Sequence, residues 1–197
     1  MRRYIVATAV GTALLAGCAD EPTEFTGTRL ETPYQAPDTE LTDTSGEPYS
    51  LTADTERPLT LVFFGYTHCP DYCPLVMNSI SAALNRLDDG QRDQVDVVFV
   101  TTDPARDDEQ ALRSYLDGYG EDFVGLTGRL STIVEVAEPL HLYVNDGKRL
   151  PTGGYDLGGH STYTLGVTED DEAVAIWDQD TTAVELANDI ETLLDEA

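Results

Sequence analysis

Leu59-Thr-Leu-Val-Phe-Phe-Gly-Tyr-Thr-His-Cys-Pro-Asp-Tyr-Cys-Pro-Leu-Val-Met77 begins as a strand and ends as a helix. Leu59 to Phe64 is an apolar run rich in β-branched and aromatic residues, the pattern of a buried strand. Gly65, Tyr66 and Thr67 end it. Beyond the motif, Val76, Ile80, Ala83, Leu84 and Leu87 recur at helical spacing. Cys69 and Cys73 therefore stand where a strand turns into a helix N-terminus, whose partial positive charge stabilises a thiolate. Four residues apart, the two thiols share a side if helical geometry reaches back to Cys69. Pro74 suits a first helical turn, and Pro70 holds Cys69 out in the loop. The pair can close as a disulfide or bind one soft metal ion. A purely stabilising staple is the bland alternative, but so short a loop removes little entropy from the unfolded chain.

Working outward, Val95-Asp-Val-Val-Phe-Val100 is a second near-continuous apolar run, so strand, helix and strand make a right-handed βαβ unit. Asp88-Asp-Gly90 is expected to end the first helix. Upstream, Glu40 to Leu51 reads as a β-hairpin turning at Asp43–Gly46. Downstream, Asp107 or Asp108 can cap a helix from Glu109 to Tyr119, and Phe123 to Leu126 is a short strand. Thr132-x-x-Glu135 fits a capping box for a helix to Glu138, and His141 to Val144 is a further short strand. A glycine-rich loop, Asn145 to Gly159, precedes an antiparallel pair at Ser161–Val167 and Ala173–Trp177. Thr182-x-x-Glu185 caps a closing helix. This order predicts an α/β fold of the thioredoxin-like kind: a central mixed sheet flanked by helices, with an N-terminal β-hairpin extension. In such sheets chemistry lies beyond the carboxyl ends of the strands, where Cys69 and Cys73 fall.

The 197 residues suit one domain and a tail, and the net charge of −26 excludes nucleic acid as a partner. The third cysteine is Cys18. Met1-Arg-Arg, the apolar stretch Tyr4 to Ala16 and then Leu15-Ala-Gly-Cys18 resemble a bacterial lipoprotein signal, with Cys18 as the lipidated residue. Residues 1–17 are thus expected to be a signal peptide, 18–37 an acidic flexible tether, and 38–197 the folded domain. The implied location is outward-facing on the cell membrane, held by a lipid anchor.

Of three histidines, His160 is the candidate third donor, because its loop precedes a strand that neighbours the central one in this layout. Two thiolates and an imidazole make a soft site, suited to copper or zinc. A structural zinc site wants four donors. His68 is a fourth only by adjacency, and His141 reads as a partly buried structural residue. Asp103 lies near the site as a turn former or a tuner of protonation. Tyr66, Tyr72 and Asp71 read as packing or partner-contact residues.

Phe63-Phe-Gly-Tyr-Thr-His-Cys-Pro-Asp-Tyr-Cys-Pro74 resembles the signature of the Sco/SenC family, and Thr102-Asp-Pro-Ala-Arg-Asp107, Phe123-Val-Gly-Leu-Thr-Gly128 and Gly159-His-Ser161 resemble its later landmarks. The resemblance implies copper, Cu(I) with Cu(II) as a second state, bound by Cys69, Cys73 and His160. It implies a metallochaperone rather than an enzyme, whose partner is the copper-site subunit of cytochrome c oxidase. The alternative is a thiol–disulfide oxidoreductase that keeps partner cysteines reduced. No proline stands just before the Ser161 strand, which argues against a dedicated thioredoxin.

Overall fold

The computed structural model describes residues 24–55, 57–144 and 160–197. The elements in chain order are β1 (Thr28–Gln35), β2 (Leu41–Asp43), β3 (Pro48–Tyr49), β4 (Leu59–Gly65), α1 (Tyr72–Leu84), α2 (Asp89–Arg92), β5 (Val95–Thr101), α3 (Glu109–Leu116), β6 (Val124–Thr127), α4 (Leu130–Ala137), β7 (Thr164–Thr168), β8 (Glu172–Trp177) and α5 (Ala183–Glu196). The strands form one sheet in the order β1-β8-β7-β4-β5-β6-β2-β3. β4, β5 and β6 are parallel, while β7 lies antiparallel to β4 on its other side. The expected mixed, thioredoxin-like sheet with an added hairpin is what the chain builds.

Alternation along β4 sorts the core into two layers. Leu59, Leu61 and Phe63 face α1, α3 and α5, packing with Met77, Ile80, Leu112 and Ile190. Val62 and Phe64 face the opposite side, where α4 supplies Ile133 and Val136. Every residue of β4 is buried, as its unbroken apolar run requires.

Several sequence expectations change. Residues 28–35 are not tether but β1, paired antiparallel with β8 at the sheet edge. Pro33, which reads as a linker residue, sits in the irregularity between Arg29 and Tyr34, where its missing N–H costs no ladder bond. Asp88 does not stop α1; it caps the short α2 through a reciprocal pair with Gln91. α4 starts at Leu130 without a side-chain cap, so Thr132-x-x-Glu135 lies inside the helix. Residues 141–143 form no strand, and Val144 makes an isolated bridge to His160. His141 is exposed rather than partly buried, in a left-handed conformation, with its ring tilted against Tyr34 at a centroid distance of 4.3 Å. The Thr182–Glu185 capping box on α5 is present as read. No helix among the described residues is long and apolar enough to cross a membrane. The signal segment with Cys18, and the glycine-rich loop before His160, lie outside the described residues.

Candidate metal and thiol centre

β4 and β5 run in parallel register to the pair Gly65–Thr101, and both stop there. The Thr102 amide donates to the Gly65 carbonyl at 2.6 Å, tying the two strand ends together. This is the carboxyl edge of the sheet, and the loop from Tyr66 to Asp71 rises from it into α1. Cys73 lies in the first turn of α1, fully buried against the sheet. Its sulfur needs the bare face of Gly65: a Cβ there would stand 2.9 Å from Cys73 Sγ.

Cys69 sits in the loop, half-buried. At the N-cap position of α1, Asp71 makes no side-chain cap bond. The Cys69 sulfur takes that role instead, accepting from the Cys73 amide at 3.4 Å, so an open helix amide is satisfied by a thiol. Burial pushes the Cys69 thiol up, but the amides of Cys73 and Asp71, the Cys73 thiol and the Tyr66 hydroxyl outweigh it, and the group rests below its ordinary value. Cys73 moves the other way. Burial raises it far above its ordinary value, and the neighbouring Cys69 sulfur adds to that. The helix end therefore activates one thiol rather than both. At pH near 7.5, limiting iodoacetamide should alkylate Cys69 about tenfold or more ahead of Cys73, with a rate that levels off below the ordinary thiol range of ~8.5. Peptide mass mapping reads the ratio, and equal labelling would contradict the asymmetry.

The loop that carries Cys69 is fixed from below by Asp107. Its fully buried carboxyl accepts from the Thr67 amide at 2.9 Å, the Thr67 hydroxyl at 2.6 Å and the Thr101 hydroxyl at 2.8 Å. Its own carbonyl accepts from the Thr127 hydroxyl at 2.9 Å. The cap of α3 is the next residue, Asp108, which accepts from the Ala111 amide. The sequence reading offered Asp107 or Asp108 for one cap and missed the inward role.

Asp103 is buried and paired with Arg106; burial raises its carboxyl, against the pull of that guanidinium. His68 is exposed, with Nδ1 turned toward Thr67 Oγ1 at 2.8 Å and Asp107 Oδ1 at 3.7 Å. It is held to the loop base.

His160 is partly buried where its bridge to Val144 meets the start of β7. Nδ1 lies 2.9 Å from the Ser161 carbonyl. A carbonyl only accepts, so Nδ1 carries the proton and Nε2 keeps its lone pair. Burial lowers the imidazole pKa, against the opposing hydrogen bond to Ser161, so the neutral ligand form dominates near pH 7. The Tyr66 ring stands between the two halves of the site. It meets the His160 ring edge-on at 5.6 Å, and its hydroxyl reaches Cys69. Burial and the two sulfurs push that hydroxyl up to about 12. Among the described residues, no three His, Cys, Asp or Glu side chains are gathered closely enough to hold a metal ion. The structure thus pairs the two thiols and brings His160 as far as Tyr66, without closing a three-donor cluster.

Residues 28–195 match the family described as SCO1/SenC. A solution structure of apo Sco1 from Thermus thermophilus is 29% identical, with a TM-score of 0.76 over 86% of this chain and 97% of that one. Bradyrhizobium japonicum ScoI, solved with copper bound, is 29% identical, with a TM-score of 0.66 over 82% of this chain and 98% of that one. A putative copper-binding protein of Stutzerimonas stutzeri is 36% identical over 106 residues, 54% of this chain and 52% of that protein. The chain spans about half the length of the first curated relatives it matches, 52% in each of two cases. With the motif carried by Cys69 and Cys73 at the carboxyl edge of a thioredoxin-like sheet, and a family match over nearly the whole described domain, the chain belongs to the SCO1/SenC family.

Proposed function

We propose that the domain is a copper metallochaperone in which Cys69, Cys73 and His160 take up one Cu(I) as cargo. The observation that carries this reading is the donor set: two adjacent sulfurs, one with a lowered pKa, and across Tyr66 a neutral imidazole that keeps Nε2 free. Two thiolates and an imidazole are soft enough for Cu(I) and too few for a structural zinc site. The copper named for the Bradyrhizobium and Stutzerimonas relatives agrees with that chemistry. Uptake requires the contact between His160 and Tyr66 to give way so that Nε2 can join the sulfurs, and in release acceptor thiols displace the ligands one by one. The acceptor implied by the family resemblance is the copper-site subunit of cytochrome c oxidase. We place the domain outside the cell membrane, anchored through lipidated Cys18; fatty-acid labelling that persists in Cys18→Ser would refute the anchor.

Anaerobic titration of the reduced protein against a competing Cu(I) chelator tests the site. One tight equivalent is expected, lost in Cys69→Ser and Cys73→Ser and weakened about tenfold or more in His160→Ala. Undiminished binding in His160→Ala would remove that residue from the ligand set.

A second reading, thiol–disulfide exchange, is favoured by one specific observation. An accessible low-pKa thiol next to a buried high-pKa one is the asymmetry of an attacking and a resolving cysteine. Both readings can hold for one protein, because copper delivery to a dithiol requires that dithiol to be reduced.

A further inference from the structure

The outer face of α1 is anomalous for this chain. The protein carries 37 acidic and 11 basic residues, yet the 13 residues of α1 include no charged one. The inner face is core, from Cys73 through Val76, Met77 and Ile80. The outer face presents Tyr72 and Leu75, 45% and 58% exposed. An open groove of about 440 Å³ runs beside them, between Leu75 and Ala82 of α1 and the segment Gln179 to Ala183 that leads into α5. The charges at its edges have one sign. Asp180 lines it, and Asp71 stands exposed at the thiol end. Chain segments 58–85 and 160–197, which contain the residues lining the groove, have no lysine or arginine, and Arg86 comes only after α1 has ended.

We propose that this groove is the docking site for the thiol-bearing segment of the partner protein. The segment lays an apolar side chain against Leu75 and Ala82 and sets lysine or arginine side chains against Asp71 and Asp180. The assignment rests on the reading that Cys69 and Cys73 act on a protein partner. An uncharged strip excludes water at its centre, while the single-sign rim steers and orients a basic segment. Through one helix, docking and the reactive thiols are held in a fixed relation: Leu75 is two residues from Cys73, and α1 carries both.

The probe is a synthetic peptide closed by one internal disulfide and flanked by leucine and lysine. A second peptide has glutamate in place of lysine, and dipyridyl disulfide serves as a small probe. In each exchange the reduced protein passes two electrons and two protons to the probe. Its own thiols close as a Cys69–Cys73 disulfide, and the probe disulfide opens to two thiols. The lysine peptide should react about tenfold faster than the glutamate peptide, and this gap should shrink at high salt. Leu75→Ser should slow both peptides about fivefold and leave dipyridyl disulfide unchanged. Asp180→Lys should reverse the preference between the peptides. Equal peptide rates in the wild type, or Leu75→Ser slowing dipyridyl disulfide as much as the peptides, would overturn the proposal. Failure of the copper reading would show separately, as absent Cu(I) binding in the wild type with these rate differences intact.

Discussion

Asp189→Ala is expected to destabilise the domain by about 3–4 kcal/mol and to leave Cu(I) binding unchanged. Asp189 projects from α5 and is 1% exposed. Its carboxyl accepts from the Thr26 amide, the Thr26 hydroxyl, the Gly27 amide and the Trp177 indole N–H, at 2.8–3.2 Å. Four donors from two parts of the chain converge on one acidic side chain. Gly27 fits only because it has no side chain, since a Cβ would lie 2.6 Å from Trp177 Nε1. The same corner is closed by Phe25 against Trp177 and by the Arg29 guanidinium over Phe25 at 4.2 Å. The clamp fixes the point at which the chain enters β1. Alanine would orphan all four donors in a site that water reaches poorly. Asparagine keeps an acceptor oxygen and should recover about half of the loss. At this chain length the alanine variant should melt about 10 °C lower. A loss below about 1 kcal/mol by denaturant unfolding would contradict the clamp.

Asp107→Ala should combine a loss of about 3 kcal/mol with a fall of about tenfold in Cu(I) affinity. Three donors lose their acceptor, and two of them belong to Thr67, two residues before Cys69. With that anchor gone, the loop gains conformations in which the Cys69 sulfur no longer meets the end of α1, and binding must reorder it. The pair of variants is informative together. Asp189→Ala lowers stability alone, whereas Asp107→Ala lowers stability and affinity. If Asp107→Ala binds Cu(I) as tightly as wild type, the loop does not need this support.

Both carboxyls were hidden in the sequence for the same physical reason. The run Leu59 to Phe64, the βαβ unit, the hairpin and the cap of α5 are legible because local periodicity and capping chemistry declare them. Asp107 and Asp189 are buried acids whose carboxyl partners lie 6 to 163 residues away in sequence, and nothing local separates them from the acidic surface. β1 escaped notice because its outward residues are polar, and only Leu30 and Tyr34 pack inward. Its pairing with β8 makes it a strand. At the site, the motif spacing located Cys69 and Cys73, and helix polarity foretold an activated thiol. Burial reversed the effect at Cys73, which spacing could not reveal. The link between His160 and the thiols depends on tertiary placement, and there the structure interposes Tyr66.

X-ray absorption of the reduced, copper-loaded protein tests the ligand assignment most directly. The account predicts Cu(I) bound to two sulfurs and one nitrogen, with the imidazole scattering lost in His160→Ala. A shell of sulfur alone that is unchanged in His160→Ala, or a shell without sulfur, would contradict it.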